Sequence, residues 1–278
     1  MDWQDYLYII KIGGSSISNK ETGNYFIEET IKIFAKDLIS FLKEHPNKDL
    51  NLFIIHGAGF RGHHIVKSYS LNALLQDNYK NIRGWHKLNL TQIELSDKIS
   101  RELARYGIYS INIPGRAIGY KDNNNSVIVN RDLLKSIVDR SRIKFVDNKI
   151  YGVVAISCGD IIYHNDKGLS IISGDTIAKE LSYIKPSIII HGTDVDGVID
   201  KSGSIIKRIE KEEDISSIKR FDSSNRQDVT GGIIGKVLES LRSNANRSYI
   251  INLRKEGMLR SALALNEVGT IIERRDNI

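Results

Sequence analysis

Among 278 residues the chain has one cysteine, three prolines and two methionines. A single thiol, Cys158, excludes a disulfide framework and a cysteine zinc cluster. Apolar runs are short: Ile188 to Ile190 after Ser187 is typical, against the ~20 residues that span a bilayer. No charged start leads into an apolar stretch, because Asp2 and Asp5 interrupt the opening. A soluble cytoplasmic protein without a membrane partner is expected. No repeat of 20 to 50 residues suggests a solenoid. No stripe of cations interleaved with aromatics accompanies the net charge of +6 (40 basic, 34 acidic). A pI of 9.2 therefore does not nominate nucleic acid as a partner.

The hydrophobic fraction is 41%, enough for a sizeable core in one large domain or two tightly joined ones. Five β-branched runs each lead into a glycine or a turn: Leu7 to Ile12, Leu52 to Ile55, Tyr151 to Ile156, Ser187 to Ile190, and Ser248 to Leu253. Such continuous runs read as strands buried on both faces, the signature of a central parallel sheet. Between the first two, Ile27, Ile31, Phe34, Leu38 and Phe41 recur at helical spacing over 26–44. Residues 86–106, with Leu88, Ile93, Leu95, Ile99 and Leu103, and residues 174–184 also read as helices. The alternation predicts an α/β fold, an open αβα sandwich with a mainly parallel central sheet. Lys121 to Ser126 reads as a loop or hairpin tip, and the charged stretch 201–228 as surface. No linker separates two domains; the expected division is two lobes of one sheet, parting near 165–185.

Chemistry concentrates in the loops after these strands. Lys11-Ile12-Gly13-Gly14-Ser15 offers close backbone approach, N–H donors and a cation to an anion, although a bare glycine pair also makes a simple turn. It is neither a Walker A loop nor a dinucleotide fingerprint. The second loop, His56-Gly57-Ala58-Gly59-Phe60-Arg61-Gly62-His63-His64, adds a titratable donor at its edge. Two such loops at adjacent strand ends can each hold one phosphate, which is the geometry phosphoryl transfer requires. Asp175, in Ser173-Gly174-Asp175-Thr176, is either a helix N-cap or a carboxylate that orients a lysine or magnesium. Asp194 and Asp196, after Thr193, resemble a metal pair or make turns. Asp228-Val229-Thr230-Gly231-Gly232 offers a third glycine nest, with Lys236 one turn later.

Taken in order, these segments resemble the amino-acid kinase superfamily, and within it the isopentenyl phosphate kinases. The resemblance runs from about Tyr8 to Thr270. It rests on the histidine closing the second loop, the stretch 168–175, Thr193 to Val198, Asp228 to Gly232, and Val268-Gly269-Thr270. It implies a single domain over 1–278, with an acceptor-binding and dimerising lobe (1–170) and a nucleotide-binding lobe (171–278). It further implies an ATP-dependent phosphotransferase, with Mg2+, that moves the γ-phosphoryl group to the phosphate of isopentenyl phosphate. The products would be isopentenyl diphosphate and ADP, a step of isoprenoid biosynthesis in the mevalonate pathway.

The implied catalytic residues are Lys11, Lys20, His63, Asp175 and Lys236. Gly57, Ala58, His63 and Gly159 would meet the acceptor. Lys11, Gly13, Gly14, Ser15, Gly59, Asp175, Thr193, Asp194, Asp196, Gly232 and Lys236 would meet the nucleotide, with no residue assigned as a direct metal ligand. A homodimer is implied as well. The chain departs from the family on the acceptor side. Arg61 places a cation in the second loop, and the usual His-Gly-Asp is Cys158-Gly159-Asp160. Ile65, Val66, Tyr69, Leu71, Trp85, Leu88 and Ile93 are candidates for an apolar acceptor pocket. A kinase similar to the fosfomycin kinases is the alternative reading. His63 counts against an amino-acid carboxylate kinase, and the retained set of cations against a non-catalytic nucleotide sensor.

Overall fold

The structure, a computed structural model, describes residues 3–71, 79–166, 168–219 and 232–273. In chain order its first elements are β1 (Leu7–Ile12), α1 (Gly14–Ile17), α2 (Glu28–Glu44), β2 (Leu50–His56), α3 (Gly59–Ser68) and α4 (Tyr79–Ala104). There follow β3 (Ser110–Asn112), β4 (Gly119–Lys121), β5 (Val127–Val129), α5 (Arg131–Arg140), β6 (Arg142–Val146), β7 (Lys149–Cys158), β8 (Asp160–His164) and β9 (Gly168–Ile172). The last are α6 (Gly174–Ser182), β10 (Ser187–Thr193), β11 (Arg208–Ile209), α7 (Gly232–Leu241), β12 (Arg247–Asn252), α8 (Met258–Leu263) and β13 (Thr270–Ile272).

The five strands expected from the apolar runs lie side by side and parallel, in the order β12-β10-β1-β2-β7. Each is buried through its length or its carboxyl half, which is why it reads as a continuous apolar run and not an alternating one. Successive residues of β1 feed opposite layers. Tyr8, Ile10 and Ile12 pack with α2, α4 and α8, whereas Leu7 and Ile9 pack with α5 and α6. The result is the expected αβα sandwich. Nine strands form the central sheet, and β6 and β13 enter it antiparallel. A second, four-stranded sheet, β5-β4-β8-β9, was not anticipated; its β4–β5 hairpin carries the polar tip at 122–126.

Two helix boundaries differ from the sequence reading. α2 begins at Glu28, because Ile27 is extended and only the residues after it are helical. α4 begins at Tyr79, well before residue 86, and ends at Ala104. Its buried stripe is Trp85, Leu88, Gln92, Leu95, Ile99 and Leu103, and Ile93 is 45% exposed on the opposite face. No helix among the described residues is long and apolar enough to cross a membrane.

α2 also organises the far end of the chain. Asp37 is buried and accepts the N–H groups of Gly257, Leu259 and Arg260 at 2.8, 3.0 and 3.3 Å, capping α8 from another helix. Removing a charged acceptor from three buried or half-buried donors leaves them without a partner. Asp37→Ala is expected to lower the unfolding free energy by about 2–3 kcal/mol, read from urea denaturation midpoints.

Candidate functional site

The chain crosses from one side of the sheet to the other at β1. β2 and β7 lie to one side and β10 and β12 to the other, so the carboxyl end of β1 faces a topological switch point, where α/β sheets bind ligands. The pairing register brings Ile12 level with both His56 and Gly192, His56 level with Cys158, and Thr193 level with Asn252. The loops singled out in the sequence therefore surround one edge of the molecule.

The first two glycine loops touch backbone to backbone. A Cβ on Gly57 would lie 2.7 Å from Gly14 N, and one on Gly14 would lie 2.9 Å from Gly59 N. Any side chain at these positions would force the loops apart. The Ser18 hydroxyl ties them together, donating to Gly14 O at 2.6 Å and accepting from Phe60 N at 3.2 Å. Gly13 N and Gly57 N continue the sheet by donating to Gly192 O and Ile12 O at 2.8 and 2.9 Å. Gly13 and Gly57 thus serve by having no side chain. Gly14, Ser15, Ala58 and Gly59 are the candidate anion donors. A phosphate-bearing nucleotide fits this bare cradle and its flanking cations.

Those cations meet on Asp175. Lys11, on β1, places its Nζ 2.5 Å from Asp175 Oδ2, and Lys236, on α7, places its Nζ 3.7 Å away. His191, within β10, brings Nδ1 to 3.3 Å of Asp175 Oδ1, and its Nε2 lies 2.9 Å from Ser240 Oγ. Burial opposes ionisation of Asp175, but the two ammonium groups outweigh it and hold the carboxyl well below the usual range. Burial also lowers the His191 pKa, against the pull of Asp175, so the ring is neutral near pH 7. A carboxylate only accepts, so the ring proton belongs on Nδ1, facing Asp175, and Nε2 accepts from Ser240. Ser173, whose Oγ accepts from Thr176 N, caps α6; Asp175 is not the N-cap, and the orienting role for lysines is the one its contacts match. Gly174 leaves room for this, since a Cβ there would lie 3.1 Å from Lys11 Cε.

On the other side, His63 sits half-buried one turn into α3. Gly62 lets α3 settle on α4, because its Cβ would meet Ala58 Cβ at 2.6 Å and Gln92 Nε2 at 3.1 Å. Ile65, Val66, Leu71, Trp85 and Leu88 form one apolar cluster with Ile161, and Tyr69 packs against it. Ile93, the remaining pocket candidate, faces outward. Arg61 is turned to α4: it pairs with Glu94 at 3.1 Å and lies over the Tyr25 ring, so it is not a bare cation at the acceptor loop.

Cys158 is buried, and burial, helped by the Asp160 carboxylate, pushes its thiol up to about 12. It is a packed thiol, not a nucleophile. Beside it His56, its pKa lowered by burial to about 4, is neutral and lies 2.7 Å from Ser96 Oγ. Gly159 N donates to His56 O at 3.2 Å, and a Cβ on Gly159 would lie 3.1 Å from Gly174 N. Asp160 pairs with Arg116 at 2.7 Å next to this turn.

The remaining predicted residues are more scattered. Lys20 is exposed in the turn closed by the Asn19–Asn24 bridge. Thr193 Oγ1 lies 3.0 Å from both Val195 O and Ile251 O, to either of which its one proton can go, and so shapes its own loop. Asp196 is held by Asn252 at 2.8 Å and by Lys255 at 2.7 Å, and no metal-binding group of three His, Cys, Asp or Glu occurs among the described residues. The contacts of Asp196 fit a loop tie better than a metal pair. Gly232 opens α7 with φ +60°, whereas Asp228 to Gly231 lie outside the described residues. Sequence reasoning missed Ser18, His191, Arg116, Ser240 and Arg254. Of these only His191 left a signal, as a polar residue directly after the apolar run Ile188 to Ile190.

Removing the Asp175 charge strands two buried cations, so Asp175→Asn is expected to cost about 3 kcal/mol of stability at neutral pH. The folded-state pKa of Asp175 is depressed, so its contribution is present above the unfolded value near ~4 and lost as pH falls through the lower folded value. Urea midpoints should accordingly drop more steeply below pH ~4 in the wild type than in the variant.

Comparison with known proteins agrees with this geometry. The chain is 30% identical to the isopentenyl phosphate kinase of Methanocaldococcus jannaschii, over 96% of this chain and 98% of that protein. It is 26% identical to the acetylglutamate kinase of Nautilia profundicola, over 96% and 94%. A crystal structure described as isopentenyl phosphate kinase superposes with a TM-score of 0.74 at 22% identity, covering 96% of this chain and all of that one. The amino acid kinase family model matches residues 7–252. Because the family model spans most of the chain, the chain belongs to the amino acid kinase family and is an ATP-dependent kinase.

Proposed function

We propose that this kinase transfers the γ-phosphoryl group of ATP to the phosphate of isopentenyl phosphate, giving isopentenyl diphosphate and ADP. The observation that carries the reading is the composition of α3. It presents His63 beyond the second glycine loop and, within the next turn, Ile65 and Val66 to an apolar cluster. The cluster is itself packed, with Ile65 and Val66 only 8% and 6% exposed, so the hydrocarbon tail of an acceptor whose ionised head meets His63 would lie along its edge. An amino-acid acceptor needs polar partners along its length. The full-length similarity to the Methanocaldococcus jannaschii enzyme supports the same acceptor.

ATP held at the Gly13–Ser15 loop supplies the transferable group, with magnesium carried on its phosphates. In this reading residues 171–278, together with the Gly13–Ser15 loop, hold the nucleotide, and the rest of residues 1–170 the acceptor. Ala58 and Gly59 N–H groups lie between the two phosphates, and His63 donates to the acceptor's phosphate. One acceptor oxygen bonds to the γ-phosphorus as the bond to the β–γ bridging oxygen breaks, and the electron pair leaves with ADP. That oxygen is already ionised near neutral pH, so no strong general base is needed. The obstacle is repulsion, about 1 kcal/mol per charge pair at ~4 Å in water and several times that in a drier site. Lys11 and Lys236, placed by Asp175, offset it on the nucleotide side, and Lys20 approaches from its exposed turn.

The test assays purified protein with ATP and magnesium against isopentenyl phosphate, dimethylallyl phosphate, fosfomycin and N-acetylglutamate. Selective turnover of isopentenyl phosphate is expected; preference for fosfomycin or N-acetylglutamate would refute the reading. His63→Ala should cut turnover at least ~100-fold while calorimetric ATP binding persists. Near-wild-type turnover in that variant would remove His63 from the mechanism.

A further inference from the structure

Every carbonyl of the first glycine loop from Gly13 to Ser18 is engaged. Gly13 O accepts from Ser16 N and Oγ, Gly14 O from Ser18 Oγ, and Ile17 O from Ile27 N. The three that remain, Ser15, Ser16 and Ser18, all accept from one guanidinium. Arg254 Nη2 donates to Ser15 O at 2.6 Å and Ser18 O at 3.3 Å, and Nε donates to Ser16 O at 3.1 Å, where Thr30 Oγ1 also donates. Arg254 is distant in sequence and follows β12, on the opposite side of β1 from the acceptor loops.

We propose that Arg254 is a positioning residue for phosphoryl transfer, which fixes the phosphate loop by drawing its carbonyl oxygens away from the nucleotide. A peptide's N–H and C=O point in opposite directions. The Gly14 and Ser15 N–H groups share their peptide planes with the Gly13 and Gly14 carbonyls, which Ser16 and Ser18 hold. By gathering the Ser15, Ser16 and Ser18 carbonyls that follow, Arg254 fixes the turn to which those two donors belong and keeps repelling oxygens off an anion. Only a guanidinium presents several N–H groups in a fixed fork; an ammonium is a point charge. The same segment reaches the other nucleotide-side loop. Arg254 N donates to Asn252 Oδ1 at 3.0 Å, Asn252 Nδ2 donates to Asp196 at 2.8 Å, and Lys255 pairs with Asp196 at 2.7 Å. Residues 252–255 thus bind the loops after β1 and β10 to each other.

The inference rests on ATP as the donor and not on the identity of the acceptor, so ATP affinity is measured alone by calorimetry alongside turnover and melting temperature. Arg254→Ala is expected to lower kcat about 100-fold. It should weaken ATP binding at least ~10-fold, shift melting by only a few degrees, and recover partly in millimolar guanidinium. Arg254→Lys should behave nearly as badly. The proposal is overturned if Arg254→Ala keeps kcat and ATP affinity within about threefold of wild type, or if Arg254→Lys is fully active, since a point charge would then suffice. Should the alanine variant not fold, the lysine variant decides by the same two quantities.

Discussion

Two anions react only where cations are gathered on a surface that sheds water, and buried cations need a counter-charge. Asp175 is that counter-charge here. It sits in the first turn of α6, meets Lys11 from β1 and Lys236 from α7, and is steadied by the neutral ring of His191 from β10. Four elements converge on one carboxylate. The polar cluster is tolerable only because nearly every member faces another, since a lone charge at that depth would be costly. Once it is in place, the lysines are held with little exposure to solvent, and the glycine loops are organised around them.

The second constraint is steric. The Gly14 and Gly57–Gly59 backbones lie so close that no Cβ fits between them, and Ser18 bridges the gap by hydrogen bonds to both. The loops form one surface and move together. Arg254 and Asp37 extend this logic to the C-terminal part of the chain: one collects the carbonyls of the first glycine loop, the other caps α8. The end of the chain is therefore tied to its beginning at two places, across more than two hundred residues of sequence.

Much of this was legible in the residue order. The five central strands announced themselves because burial on both faces demands unbroken β-branched runs, and the loops after them because glycine is needed where backbones touch. Asp175 and Lys236 stood out through the order of motifs, and the structure brings their charged groups to 3.7 Å of each other. β6, β13 and the four-stranded sheet were not, because short or half-exposed strands carry little pattern. Arg61 and Cys158 looked like changes in the acceptor site. Their partners, Glu94 on another helix and a buried pocket, turn them into packing features.

By itself the sequence determined the layer architecture, the sites of close backbone approach and the kinds of charge at the strand ends, since these follow from local periodicity and side-chain size. Only the tertiary structure decided which cation meets which anion, which glycine N–H groups are consumed by the sheet, and which distant arginine holds the first glycine loop. Those outcomes depend on contacts between residues as far apart as Ser15 and Arg254. No local pattern encodes such a pairing, because its energy exists only after the whole sheet has brought the two ends together.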